Sequence, residues 1–276
     1  MNIDYEGKTA AVTGAASGMG REVARLVREL GGTVYALDLN QSKDPVDGFI
    51  EVNLADKASI DSAVKALPDR IDSVFACAGV AGKNMTPLSV ATINFVGHRH
   101  LVESLVPRMG EGSSIALIAS MGGMGWIANI PAVMGLLQTD GFDAAIHYLE
   151  QHVDDAAVLG GSTPGNNRGY TFSKEATILY AKYRSWTLAQ RRIRINTISP
   201  GSTTTPMLSQ FGSDPQVGAR SVSPIGNSSS PRDQAKALAY LNSDTASYIS
   251  GADLCVDYGF SGGIYTGQGQ LSETGN

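Results

Sequence analysis

A tyrosine and a lysine four residues apart, Tyr170 and Lys174 in the run GYTFSK, raise the question of proton transfer. On a helix this spacing puts both side chains on one face, about one turn apart. A phenol beside an ammonium can give and take protons, because the positive charge stabilises phenolate. The pair alone leaves open an accident of a surface helix. A second constellation lies near the start, where a strand-like run leads into TGAASGMG at 13–20. Glycines between a strand and a helix let backbone approach a pyrophosphate, with the helix amides and dipole facing the anion. Their spacing over Gly14, Gly18 and Gly20 is G-x-x-x-G-x-G rather than G-x-G-x-x-G.

Asp38 follows Gly20 by 18 residues and ends the next strand-like run. There a carboxylate accepts hydrogen bonds from an adenosine ribose and repels a 2′-phosphate. No arginine or lysine directly follows Asp38 or sits in the glycine turn, and Lys43 lies beyond the strand end. NAD(H) is therefore expected over NADP(H).

The elements that must position these groups alternate. KTAAVTG (8–14), TVYALD (33–38), FIEVNL (49–54), SVFACAG (73–79), SIALIAS (114–120), IRINTISPG (193–201) and ADLCVD (252–257) read as strands. Helical spacing is expected over residues 18–30, over 90–108, from Tyr170 to about Gln190, and over 233–242, with Asp56 capping a further helix from Lys57. Near-continuous apolar strands separated by helices mean a parallel sheet covered on both faces.

Two segments break the rhythm. Residues 121–168 carry one helical stripe, Phe142, Ala145, Ile146, Leu149 and Val153, with Asp140 as its expected cap, and end in turn-forming residues 160–169. Residues 202–231, rich in Ser, Pro, Gly and Thr, read as a loop or lid, and the tail after Ser261 as frayed.

The totals exclude other classes. A net charge of −5 without a block of like charge argues against nucleic acid and anionic membrane surfaces. Cys77 and Cys255 are too few for a disulfide framework, and His98, His100, His147 and His152 are scattered, so no metal site is expected and structural histidines are. The start, MNIDYEGK, lacks a secretion pattern and no apolar run reaches membrane-spanning length, so a soluble cytoplasmic protein is expected.

With these motifs in order, the chain resembles the short-chain dehydrogenase/reductase family over nearly its whole length. The shared motifs are TGAASGMG at 13–20, Asp38, ACAG at 76–79, Asn94 in TINFVG, Ser120 in LIAS, YTFSK at 170–174, NTISPG at 196–201 and VDYG at 256–259. The resemblance implies one doubly wound Rossmann-type α/β domain over 1–276, with a seven-stranded parallel sheet in the order 3-2-1-4-5-6-7. It implies hydride transfer between a nicotinamide and an alcohol or carbonyl. Tyr170 would be the general acid/base, Ser120 would hold the substrate oxygen, Lys174 would bind the nicotinamide ribose and lower the Tyr170 pKa, and Asn94 would support a water relay. The implied cofactor contacts are Gly14, Ser17, Gly18, Met19, Gly20 and Asp38, then Asn53 and Leu54, then Cys77, Ala78 and Gly79. Tyr170 and Lys174 join them, with Pro200, Gly201, Thr203 and Thr205 closing the site.

The chain departs from the family in several places. Ala76 and Cys77 replace the two asparagines of N-N-A-G, Asn53 replaces an acid, and the terminal D-G-G is Asp257-Tyr258-Gly259. Ser120 and Tyr170 stand 50 residues apart, where the family commonly has about a dozen residues between them. That enlargement, with a short connection from Gly79 to Asn94, is similar to bacterial 3α-hydroxysteroid dehydrogenase/carbonyl reductases and coniferyl-alcohol-type dehydrogenases. In the family the tyrosine-bearing helix often forms a four-helix interface. The insertion could block it, so a homodimer through another face is expected over a tetramer.

Segments 121–168 and 202–231 are expected above the nicotinamide. They supply Met121, Met124, Trp126, Ile127, Ile130, Val133, Met134, Leu137, Met207, Leu208 and Phe211, and no arginine cluster. The expected substrate is a small but bulky apolar secondary alcohol or ketone: a steroid, terpenoid or aryl alcohol. The alternatives are a primary aryl or allylic alcohol dehydrogenase, a non-catalytic NAD-binding regulator and a nucleotide-sugar epimerase.

Overall fold

A computed structural model describes residues 3–162, 167–208 and 224–268. Its centre is a seven-stranded, wholly parallel sheet in the order β3-β2-β1-β4-β5-β6-β7. The strands are β1 (Thr9–Thr13), β2 (Thr33–Asp38), β3 (Gly48–Glu51), β4 (Ser73–Ala76), β5 (Ser114–Ile118), β6 (Arg194–Pro200) and β7 (Asp253–Val256). β4, β5 and β6 are buried along their whole length; β4 and β5 are accordingly mainly apolar, whereas β6 buries Arg194, Asn196, Thr197 and Ser199, each hydrogen-bonded.

Helices cover both faces. On one side α1 (Gly18–Glu29) packs on α8 (Pro231–Asn242). On the other lie α2 (Lys57–Ala66), α4 (Gly97–Leu105) and the long α7 (Arg168–Ala189). Asp56 caps α2 as expected, its carboxylate accepting the Ala58 N–H at 2.9 Å. Ser230 and Asp233 form a reciprocal capping box on α8, with Pro231 at its first turn. Strand order reverses between β1 and β4, and in open α/β sheets ligands bind beyond the strand ends at that point.

The structure differs from the sequence reading in four places. The helix expected over 90–108 is α3 (Pro87–Ala91), a widened π-turn over Thr92–Val96, α4, and a 3₁₀ turn at Val106–Arg108. β3 ends at Glu51, so Asn53 and Leu54 lie past it. Asp140 stands at the start of its helix without a side-chain cap, and Val153 lies past that helix's end, 43 % exposed. In the tail expected to fray, α9 (Phe260–Thr266) follows β7, and residues 269–276 lie outside the described residues.

The insertion folds as a 3₁₀ stretch (Met121–Ile127), α5 (Ile130–Leu137) and α6 (Gly141–Gln151). α5 packs on α7 and α6 on α4. Buried Arg99 of α4 anchors it, donating to the carbonyls of Leu136 at 2.9 Å and Gly141 at 2.6 Å and to the Thr139 hydroxyl at 3.0 Å. Beyond α5, Tyr183 and Trp186 of α7 stay exposed. Residues 163–166 and 209–223, with Phe211, lie outside the described residues.

Candidate active site

The turn after β1 is shaped by what side chains would collide with. Gly14 sits at φ +68°, and a Cβ there would come within 2.8 Å of the Ala78 backbone. A Cβ on Gly20 would lie 2.4 Å from the Gly14 carbonyl oxygen. These glycines therefore leave bare backbone facing a cavity of about 230 Å³, lined also by Ser17, Gly18, Met19, Asp38, Asn53, Leu54, Cys77, Ala78, Gly79 and Thr205. Asp38 is held at its edge, Oδ2 accepting the Ala16 N–H and Oδ1 the Asn40 N–H, each at 3.0 Å. Two of the four lone-pair sites of a carboxylate remain for ribose hydroxyls. Bare backbone beside an acid fits the adenosine and diphosphate portion of a dinucleotide.

Sequence reasoning passed over Thr13. Its hydroxyl oxygen accepts the N–H groups of Cys77 at 2.9 Å and Ala78 at 3.1 Å, pinning the end of β4 to the end of β1. Asn94, in the π-turn, clamps Val80 reciprocally: Oδ1 accepts the Val80 N–H at 2.8 Å and Nδ2 donates to the Val80 carbonyl at 2.9 Å. Burial pushes up the thiol of Cys77, just past β4, as suits a packed residue rather than a nucleophile.

Ser120, Tyr170 and Lys174 come together although 50 residues separate the first two. Ser120 lies just past β5, and its Oγ accepts the Gly122 N–H at 3.0 Å. That leaves its proton for the Tyr170 phenol, to which it is hydrogen-bonded. Gly169 lets the start of α7 approach α3, since a Cβ there would stand 2.0 Å from the Pro87 carbonyl oxygen. Lys174 is buried, donates to the Ile118 carbonyl at 2.8 Å and stands 5.6 Å from the Tyr170 ring centroid. Burial lowers its pKa to about 8. Burial raises the Tyr170 pKa, and the Ser120 hydrogen bond opposes that shift.

A second cavity of about 780 Å³ opens beside these three groups and shares Met19, Cys77, Ala78, Gly79, Thr205 and Met207 with the first. Pro200, Gly201 and Thr203 also line it. Its apolar wall is Met19, Met121, Met124, Met207, Leu208, Phe260 and Ile264, and among the described residues no arginine lines it. The insertion contributes less than expected. Val133 and Leu137 lie in the main core, Trp126 and Met134 pack against it, and Ile127 and Ile130 face solvent. Phe260 and Ile264 of α9 were missed. Their signal was the apolar i, i+4 pair in a segment whose glycines suggested fraying.

Residues 8–132 match the short chain dehydrogenase family, and 156–261 match a family described as enoyl-(acyl carrier protein) reductase. Coniferyl-alcohol dehydrogenase of a Pseudomonas species is 32 % identical over 205 residues, covering 74 % of this chain and 76 % of that protein. The chain belongs to the short-chain dehydrogenase/reductase family. A second relative of this dehydrogenase/reductase is the 3-alpha-hydroxysteroid dehydrogenase/carbonyl reductase of Comamonas testosteroni, 25 % identical over 90 % of this chain and 94 % of that one. The crystal structure of 3-alpha-hydroxysteroid dehydrogenase from Pseudomonas sp. B-0831, complexed with NADH, superposes with a TM-score of 0.78 at 28 % identity. It covers 94 % of this chain and 99 % of that one. Among the described residues no helix is long and apolar enough to cross a membrane, and no His/Cys/Asp/Glu group could hold a metal.

Proposed function

We propose that this oxidoreductase uses NAD(H) to interconvert a bulky apolar secondary alcohol and its ketone. The supporting observation is that Ser120, Tyr170 and Lys174 line an apolar cavity continuous with the glycine cleft that ends at Asp38. When bound, a nicotinamide dinucleotide supplies the hydride donor or acceptor. Gly14, Gly18 and Gly20 present backbone to its diphosphate, Asp38 takes the adenosine ribose, and Lys174 the nicotinamide ribose. Ser120 holds the substrate oxygen. Tyr170 gives its proton to that oxygen in reduction and removes it in oxidation. Burial keeps Tyr170 as phenol at neutral pH, the form that reduction requires. Asn94 acts by fixing Val80 at the rim of the cleft.

Oxidation of NADH and NADPH over a panel of steroid, terpenoid and aryl ketones tests this reading. Turnover with NADH on bulky neutral ketones is expected; preference for NADPH or for small charged substrates would overturn it. A primary aryl or allylic alcohol is the second reading, supported by the likeness to a coniferyl-alcohol dehydrogenase. Oxidation of such alcohols faster than secondary ones would select it. We also propose a homodimer through a face other than α7, supported by α5 lying over the flank of that helix.

A further inference from the structure

His98 is buried on α4 behind the cleft, and no step above uses it. Its ring lies between Thr13, which ends β1, and Asn94 in the π-turn. Counting lone pairs fixes the direction of each bond. The Thr13 hydroxyl oxygen already accepts two N–H groups, from Cys77 and Ala78, which uses both of its lone pairs. Its single proton therefore goes to His98 Nε2, 3.0 Å away. Nε2 must be bare, so the ring proton is on Nδ1, facing the Asn94 carbonyl oxygen at 3.2 Å. Burial acts in the same direction, lowering the ring's pKa to about 4.

The bonds thus run without a break from Cys77 and Ala78 through Thr13 and His98 to Asn94 and Val80. They join the entry to the glycine turn, the end of β4 and the π-turn. The side chains of Ala76 and Cys77 carry no amide that could brace this edge themselves.

We propose that His98, as its neutral Nδ1–H tautomer, is a positioning residue that orients the Thr13 hydroxyl and so sets the Cys77–Gly79 edge of the dinucleotide cleft. This rests on the reading that the cleft takes NAD(H). Leucine at position 98 removes the acceptor and lets the Thr13 hydroxyl turn. Glutamine keeps an acceptor and a donor on one planar group.

NADH affinity, read from nucleotide fluorescence on the full chain, tests the proposal. His98→Leu should raise the NADH Kd about tenfold, with kcat at saturating NADH changed less than about threefold, and His98→Gln should restore Kd to within about threefold of the parent. A His98→Leu protein that binds NADH like the parent overturns it, as does a folded His98→Gln protein as weak as His98→Leu. Imidazole nitrogen chemical shifts of the unsubstituted protein read the tautomer without any nucleotide. A neutral Nδ1–H ring for His98 from about pH 8 to about pH 5 is expected. An Nε2–H or cationic ring there overturns the proposal, even in a protein whose failure to bind NADH had already refuted the functional reading.

Discussion

The Lys174 ammonium reaches across from α7 to the carbonyl oxygen of Ile118, 2.8 Å away at the end of β5. One bond thereby ties the helix that carries Tyr170 to the strand that leads to Ser120, and holds the cation 5.6 Å from the Tyr170 ring. Position and charge of Lys174 are separable properties, and pH separates them.

Below about 8 the Lys174 side chain is an ammonium; above it burial makes it an amine. A nicotinamide ribose favours the cation as hydrogen-bond donor, so NADH binding should weaken as pH rises through that value. Titration of the NADH Kd from about pH 6.5 to about pH 9.5 should show affinity falling from near pH 8 upward. A flat profile would remove charge from the role of Lys174.

Tyr170→Phe deletes the transferable proton and leaves the ring in place. Turnover should fall by roughly 10²–10⁴ or more, while the NADH Kd stays within about threefold. Comparable loss of binding would mean that Tyr170 holds the cofactor rather than transferring the proton.

Phe260 lies on α9, away from the glycine turn, and lines only the larger cavity. Phe260→Ala should raise the KM for a bulky ketone about tenfold, on the order of 1.4 kcal/mol, and leave the KM for NADH unchanged. Steady-state kinetics varying each substrate in turn would show this. An unchanged ketone KM would place the substrate elsewhere.

Glu175, one residue past Lys174, is buried and takes Arg168 on both oxygens, at 3.2 and 3.0 Å, and Asn129 at 2.6 Å. Asn129 and Arg168 also donate to the Ala157 carbonyl. Glu175→Ala should destabilise the protein by on the order of 3 kcal/mol, because it leaves the partners of a buried charge without it. Hydrogen exchange should quicken first over residues 126–157. A melting temperature equal to the parent's would show that this cluster fastens nothing.

The parallel sheet was legible because β4 and β5 are buried on both faces and are mainly apolar for that reason. Gly14, Gly20 and Asp38 were legible because backbone bareness and an acid at a strand end are recorded in residue type. What could not be read was direction. Nothing in the spacing of Trp126, Val133 or Leu137 says whether an amphipathic segment turns its apolar side to a substrate or to the sheet. Nor does a sequence show that Thr13 already holds two amides, which is what gives His98 its orientation. Tyr170 and Lys174 share a helix face, but their spacing does not show that the Lys174 ammonium donates to the Ile118 carbonyl.

The seating of α5 on α7 has a consequence for dilute solution. A helix braced by a neighbouring molecule loses that brace when the copies part, and its reactive groups drift with it. Here the brace is encoded in the same chain, fastened through Arg99 and Glu175. Specific activity should therefore hold constant as the protein is diluted, whatever association its surface supports at higher concentration.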